Sequence, residues 1–466
     1  MTVQPSALPV VVVGAGLAGL TAALDLTAAG HRVVVLESRA RAGGSTTSFE
    51  RAGTDGRPGL IVDTGQHVGL RCYHEWLGLL HRLGTADLVQ LQPRMRIPVL
   101  GHDGVRGVLQ RDHLPAPAHL LRTLLGYRLL SPGERARALR AAVALRALDP
   151  DDPALDGASF GEWLRDHDQA APAVEALWDL FTVAACNAGA AEVSLAVAAT
   201  VLRRALLDAP DAADIALPQA PLAAVHVDPA VRALRGAGAT VDMRSPVKQV
   251  RGGDGELAVL TGDGVIRAAG VVCAVPAHAA ESLLPAEVPV PTLDYQPIVN
   301  VHVVFDRVVL AEPFLATLDA DVQWVFDRTG PSGLRGAGPR WAGAQYLAIS
   351  LSAAQRVVDS PASVLQDRVV AALRAMLPAA APAGVLDAFV TRERRAAFVA
   401  APGSGARRPA ARTGVSGLVL AGAWTATGLP DTMEGAVVSG HAAARALVGV
   451  REQVTVRADR ERIRSG

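Results

Sequence analysis

The chain has 466 residues, half of them hydrophobic, and carries 45 Lys plus Arg against 45 Asp plus Glu, a formal net charge of zero. That balance offers no broad electrostatic attraction for nucleic acid, and the length calls for two domains at about 100–200 residues each. Cys72, Cys186 and Cys273 are odd in number and lack metal-type spacing, which speaks against a disulfide framework or a metal site and fits a reducing cytoplasm.

The first element is Val10 to Gly19, VVVVGAGLAG, an apolar β-branched run that stops at Gly14. The turn Gly14, Ala15, Gly16, Leu17, Ala18, Gly19 has dinucleotide-binding spacing. Gly14 permits the tight turn, Gly16 lets backbone approach a pyrophosphate, and Gly19 lets the new helix pack on the strand. The uncharged run from Leu8 to Leu24 has membrane-like hydropathy, but its glycines mark strand and helix. The helix stops at Gly30, and a second strand from Arg32 to Leu36 ends at Glu37 and Ser38, where an acid can bind a ribose diol.

After the paired Gly43 and Gly44, strands are expected around Thr46–Arg51 and Gly59–Thr64, separated by a turn over Ala52–Pro58. The following segment, VDTGQHVGL, clusters Asp63, Gly65, Gln66 and His67 between apolar residues, which suits a loop beside a ligand; a satisfied core histidine is the competing reading for His67. Glu75–Leu83 has helical spacing closed by Gly84. From about residue 96 the pattern changes, and His119–Asp214 is dominated by helical signals, among them a capping box at Ser131 and Glu134 with Pro132 at the first helical position. Leu120, Leu121, Leu124, Leu125, Leu129 and Leu130 interleave with Arg122 and Arg128. This reads either as an interfacial helix or, preferably, as a buried helix of the second domain.

Strand patterns return at Thr240–Met243, Val247–Val250, Glu256–Leu260, Val265–Ala268 and Gly270–Pro276, then at Ile298–Phe305, Val322–Phe326 and Gln345–Leu351, with a helix over Pro361–Leu377. Leu418–Gly440, LVLAGAWTATGLPDTMEGAVVSG, reads as buried strand, Gly-rich turn and helix start, with Asp431 and Glu434 spaced as a capping box. Arg451–Gly466 is highly charged and is expected to be a solvated helix or disordered. No repeats are evident.

A dinucleotide turn at one end and an Ala-Gly turn with its helix at the other resemble the amine oxidase and carotenoid desaturase flavoprotein superfamily. Within it, VDTGQHVGLRCY, PIVNVHVVFDR from Pro297, QWVFDR from Gln323 and TGLPDTMEGAVVSG are most similar to the hydroxysqualene dehydroxylase (squalene-associated FAD-dependent desaturase) family. The resemblance implies an α/β fold with a Rossmann-like FAD-binding domain over residues 1–95, 215–290 and 400–450. A discontinuous α+β substrate domain over 96–214 and 291–399 and a charged tail over 451–466 would complete it. Gly14 to Gly19 would hold the FAD pyrophosphate, Glu37 and Ser38 the adenosine ribose, Gly43 and Gly44 the turn beneath the cofactor, and Val247 the adenine. Gly65, Gln66, Gly422, Ala423, Met433 and Glu434 would meet the flavin, where a helix N-terminus favours the anionic reduced form. The family places Arg at Ser45 and Asp at Ala423, two polar contacts of about 1 kcal/mol each that this chain lacks.

The implied reaction is reductive removal of an allylic hydroxyl from a squalene-length isoprenoid, with His67 as proton donor, Gln66 as positioner and Asp63 as a third candidate. A hydrophobic isoprenoid substrate makes peripheral contact with the inner face of the membrane an expectation. No second nucleotide-binding turn is visible, so an external donor, NADPH or a redox protein, is expected to reduce the flavin. The alternatives are an oxidative carotenoid desaturase or amine oxidase, and a non-catalytic FAD-binding protein. The 4% aromatic content argues against an amine oxidase's aromatic cage.

Overall fold

The computed structural model describes residues 8–53, 59–253 and 256–464. Its first sheet has five parallel strands in the order Thr240–Asp242, Val33–Leu36, Val10–Val13, Gly270–Cys273, Leu418–Leu420. Runs such as VVVV and VVVL, buried at every position, are what a parallel sheet covered on both faces requires. Register carries the functional consequence. Val13 lies opposite both Leu36 and Cys273, and Cys273 lies opposite Leu420, so the chain leaves all four strands at one edge. Gly14, Glu37, Ala274 and Gly422 therefore share the carboxyl edge of the sheet, where open α/β sheets bind ligands.

The helix Leu17–Ala28 packs against the C-terminal helix Met433–Arg464 at very short range. A Cβ on Gly440 would lie 2.5 Å from the Ala18 carbonyl oxygen, so only glycine admits this crossing. The charged segment from Arg451 continues that helix to Arg464, while residues 465–466, like residues 54–58 of the expected Ala52–Pro58 turn, lie outside the described residues.

The second sheet has seven strands in the order Val385–Phe398, Tyr295–Phe305, Gln345–Leu351, Trp324–Asp327, Phe314–Thr317, Arg96–Leu100, Arg106–Gln110. Four of these, at 96–100, 106–110, 314–317 and 385–398, have no counterpart in the sequence reading. The longest of them is an edge strand whose centre, TRERR, breaks apolar alternation. Charge on an edge is a common device against unwanted strand pairing, and it hides the strand from a periodicity test. The helical insertion follows the sequence closely, and the Ser131–Glu134 capping box is present on helix Pro132–Ala147. The leucine-rich stretch is not one helix. It forms a short turn, Ala118–Leu120, and a five-residue helix, Leu121–Leu125, with Leu124 and Leu130 buried and Leu121 and Leu125 exposed by 42% and 52%. Among the described residues no helix is long and apolar enough to cross a membrane.

Candidate active site

A groove of about 780 Å³ follows the carboxyl edge of the five-stranded sheet. Gly14 adopts φ of +101°, and its N–H donates to the Leu36 carbonyl at 2.8 Å. A Cβ on Gly19 would come within 2.0 Å of the Gly14 carbonyl oxygen, so the helix sits on the strand as the spacing requires, whereas Gly16 faces open space. No side chain caps the helix at Gly16, which leaves its positive end available to an anion. Glu37 is oriented by three donors: Ala15 N–H to Oε2 at 2.9 Å, and Arg39 N–H and the Ser38 hydroxyl to Oε1 at 2.8 and 3.3 Å. Leu17, Ala18, Glu37, Ser38, Gly43, Gly44, Val247, Gly422, Ala423 and Met433 line the groove. Ala15 and Gly19 do not. The first is spent on holding Glu37 and the second on packing.

The uncapped helix end, the open face of Gly16 and the oriented carboxylate fit the pyrophosphate and ribose of a dinucleotide such as FAD. At the opposite end of the groove, Ser45, His67, Glu393, Asp431, Thr432 and Met433 also line a second cavity of about 240 Å³. Its remaining walls are largely apolar, with Ile97, Leu180, Phe181, Leu206, Trp324 and Phe326 among them. A smaller apolar cavity of about 60 Å³ shares Phe181, Leu202 and Leu206 with it and reaches Leu120 and Leu124. Gly65 and Gln66 belong to the apolar chamber and not to the groove. The Gln66 Nε2 is buried and has no hydrogen-bond partner among the described residues.

The geometry corrects four sequence expectations, at Asp63, at Glu434, at the Asp431–Glu434 capping box and at His67. Asp63 lines neither cavity. Its carboxylate accepts from the Ser48 hydroxyl at 2.6 Å, the Leu222 N–H at 3.0 Å and the Arg328 guanidinium at 2.6 Å, so it is a buried ion-pair partner, not a reacting group. Glu434 does not face the flavin end. It accepts from the N–H groups of Glu75 and Trp76 at 3.3 and 2.9 Å, capping helix His74–Leu83, whose own N-cap position supplies no side-chain bond. Asp431 and Glu434 are therefore no capping box. The Thr432 hydroxyl caps Gly435 N–H at 3.1 Å instead, which occupies one amide expected to be free.

His67 has the polarity opposite to a proton donor. Its Nδ1 lies 3.1 Å from the Gly65 carbonyl, which can only accept, so Nδ1 carries the hydrogen and Nε2 the lone pair. Burial lowers its pKa and outweighs the Gly65 bond and the Asp63 charge, favouring this neutral form.

Two site groups escaped the sequence reading. Asp431 was assigned to capping, although it is an acid beside the glycine turn. Arg408, 6% exposed, donates to the carbonyls of Ala423 at 2.7 Å and Thr425 at 2.6 Å and to the Thr427 hydroxyl at 2.8 Å, beneath the turn that lines the groove. No motif marks it.

Residues 17–448 match the family model described as flavin containing amine oxidoreductase. Hydroxysqualene dehydroxylase of Sinorhizobium fredii is 30% identical over 449 residues, 93% of this chain and 96% of that protein. Zeta-carotene desaturase of Synechocystis is 26% identical over 94% of this chain and 97% of its own. Among solved structures, putrescine oxidase bound to putrescine superposes with a TM-score of 0.70 at 19% identity, covering 95% of this chain and 99% of that one.

Proposed function

The chain belongs to the flavin containing amine oxidoreductase family and is an FAD-dependent oxidoreductase, and from that premise we propose that it reductively removes an allylic hydroxyl from a long-chain isoprenoid, converting hydroxysqualene to squalene. The observation that carries this reading is the apolar chamber meeting the groove at His67, Asp431 and Met433, because a hydrocarbon with a single hydroxyl needs apolar walls and few polar groups at one end. Glu37, the Gly14–Gly19 turn, the Gly43–Gly44 pair and Gly422 would hold FAD, which in its reduced form would supply two electrons as hydride.

The chain's own residues do the rest. The neutral His67 accepts a hydrogen bond from the substrate hydroxyl, and Gln66, with its unpartnered amide, donates one to the same oxygen; together they set the carbinol at the groove end of the chamber. Phe314, Trp324 and Phe326, whose rings cluster at centroid distances of 6.1–6.3 Å, present π faces able to stabilise positive charge on the allylic carbons. Apolar walls exclude the water that would trap such a cation. An external donor, NADPH or a redox protein, returns electrons to the flavin.

Anaerobic incubation of chemically reduced, FAD-loaded protein with hydroxysqualene should give squalene with matching flavin oxidation. Turnover of a polyene or an amine by the oxidised protein, without squalene formation, would replace this reading by an oxidative one.

A substrate dissolved in lipid also supports peripheral membrane contact. Helix Leu121–Leu125 turns Leu124 toward the rear apolar cavity while Leu121 and Leu125 stand in solvent, so one short helix borders both the cavity and the surface. In liposome flotation the wild-type protein should rise with the vesicles and the Leu121→Glu/Leu125→Glu variant should remain at the bottom. Equal flotation of the two would dissociate this helix from the membrane.

A further inference from the structure

Reductive dehydroxylation needs an acid, because hydroxide is a poor leaving group and His67 offers a lone pair where a proton is required. Asp431 stands where that acid must be. It lines both the groove and the apolar chamber, in the loop just before helix Met433–Arg464, and the fold does not use it as a cap, since Thr432 serves there. Among the described residues it accepts one hydrogen bond, a long one from the Phe398 N–H to Oδ2 at 3.3 Å. Arg408 beneath the glycine turn and Tyr295 at the start of its strand act on it electrostatically, and His67, His278, Glu393, Arg394 and Arg395 line the groove with it.

Resting on the dehydroxylation reading above, we propose that Asp431 is the general acid that protonates the departing hydroxyl oxygen. The carboxyl O–H bond breaks as the proton passes to the carbinol oxygen. The allylic C–O bond breaks with its electron pair going to that oxygen, and water leaves. Reduced FAD, when bound, would supply the hydride that reduces the allylic carbon and would itself be oxidised by two electrons, and the Asp431 carboxylate regains its proton from solvent. Burial supports the assignment. It raises the Asp431 carboxyl to about 6, against the smaller lowering effects of the Phe398 N–H and Arg408, so that the acid form persists well above the ordinary carboxylate range. An apolar substrate filling the chamber strengthens the same desolvation.

The test uses FAD-loaded wild type, Asp431→Asn and Asp431→Glu, reduced and anaerobic, with hydroxysqualene and with its allylic acetate, whose leaving group departs without protonation. Asp431→Asn should lose roughly 100-fold or more in kcat on the alcohol, the usual scale of general-acid catalysis, with partial recovery in Asp431→Glu. Its kcat on the acetate should stay within about threefold of wild type, since no acid acts there. Wild-type kcat on the alcohol should fall as pH rises through about 6, and the residual rate of Asp431→Asn should not. Independently of turnover, infrared spectra of the FAD-free protein should show a carboxylic-acid band that titrates near that pH and is missing in Asp431→Asn. Unchanged turnover of the alcohol by Asp431→Asn, or parallel loss on alcohol and acetate, would each overturn the assignment. If wild type converts neither compound while the infrared band is present, dehydroxylation itself fails and the acid role falls with it.

Discussion

Arg408→Met should destabilise the protein by about 3–5 kcal/mol, the loss of three short hydrogen bonds and one long one from a charged donor at about 1.5–3 kcal/mol each, less what the structure recovers by relaxing. The guanidinium is buried, lies 5.0 Å from the centre of the Phe398 ring, and donates to the Ala423 and Thr425 carbonyls, to the Thr427 hydroxyl and, at 3.4 Å, to the Trp424 carbonyl. Without it the Ala423 and Trp424 carbonyls keep no other donor among the described residues, whereas the Thr425 carbonyl still accepts from the Thr427 N–H at 2.7 Å and the Thr427 hydroxyl from the Leu429 N–H at 3.2 Å. Burial lowers its pKa to about 10, offset in part by the charges of Asp431 and Asp156, so it remains a cation at neutral pH. The turn it holds carries Ala423 and Trp424 into the groove, so FAD affinity should fall together with stability. Arg408→Lys should restore little, because an ammonium is a compact point donor that cannot span four separated acceptors. Urea unfolding and FAD fluorescence titration measure the two effects. A loss below about 1 kcal/mol with unchanged FAD affinity would show that water replaces the guanidinium without cost.

Arg408 also marks the limit of what the sequence made legible. The dinucleotide turn could be read because its determinants are local: a β-branched run, glycines at fixed offsets, a helix and an acid after the next strand. The Leu418–Gly440 segment was legible for the same reason, and parallel register then brings it beside Gly14. His67 reaches the junction through the same kind of local signal, polar residues and a glycine between apolar strands. Its proton polarity could not be read, because that depends on a carbonyl two residues away in a bent loop.

The capping box failed through tertiary override. Asp431 and Glu434 have the right spacing, yet Glu434 finds the bare N-terminus of helix His74–Leu83 some 359 residues away, and Thr432 takes over the local cap. The residues that hold the site together, Arg408 and Arg328, find their partners only in three dimensions, and an arginine gives no sequence sign of the carbonyl or carboxylate it will meet. The edge strand Val385–Phe398 brings Glu393 to the junction while its charges conceal it as a strand.

Asp63→Ala is the second substitution expected to have a large effect, about 3–5 kcal/mol, because it leaves a buried arginine without its counter-charge. Arg328 is 6% exposed and spans two segments, donating to Asp63 at 2.6 Å and to the Pro218 carbonyl at 3.0 Å. Asp63 in turn accepts from Ser48 on the adjacent strand and from Leu222 just ahead of the segment that packs Val227 under Gly43. One carboxylate thus ties four stretches of chain behind the His67 loop, and its loss should loosen that loop before it changes any chemistry. Asp63→Asn keeps Oδ1 as the acceptor for Ser48 and Leu222 but loses the charge and sets an amide NH2 donor against the Arg328 guanidinium where Oδ2 stood, so its cost should approach that of Asp63→Ala. Pairing Asp63→Ala with Arg328→Met should recover part of the loss, since replacing both members of a buried pair by apolar groups removes the stranded charge. Urea midpoints for wild type, Asp63→Ala, Arg328→Met and the double variant form a double-mutant cycle, and its coupling energy should be well above the few tenths of a kcal/mol seen for independent sites. The same variants separate support from catalysis. Folded, FAD-loaded Asp63→Asn should retain kcat within several-fold of wild type, whereas a carboxylate acting on substrate would take about 100-fold or more with it.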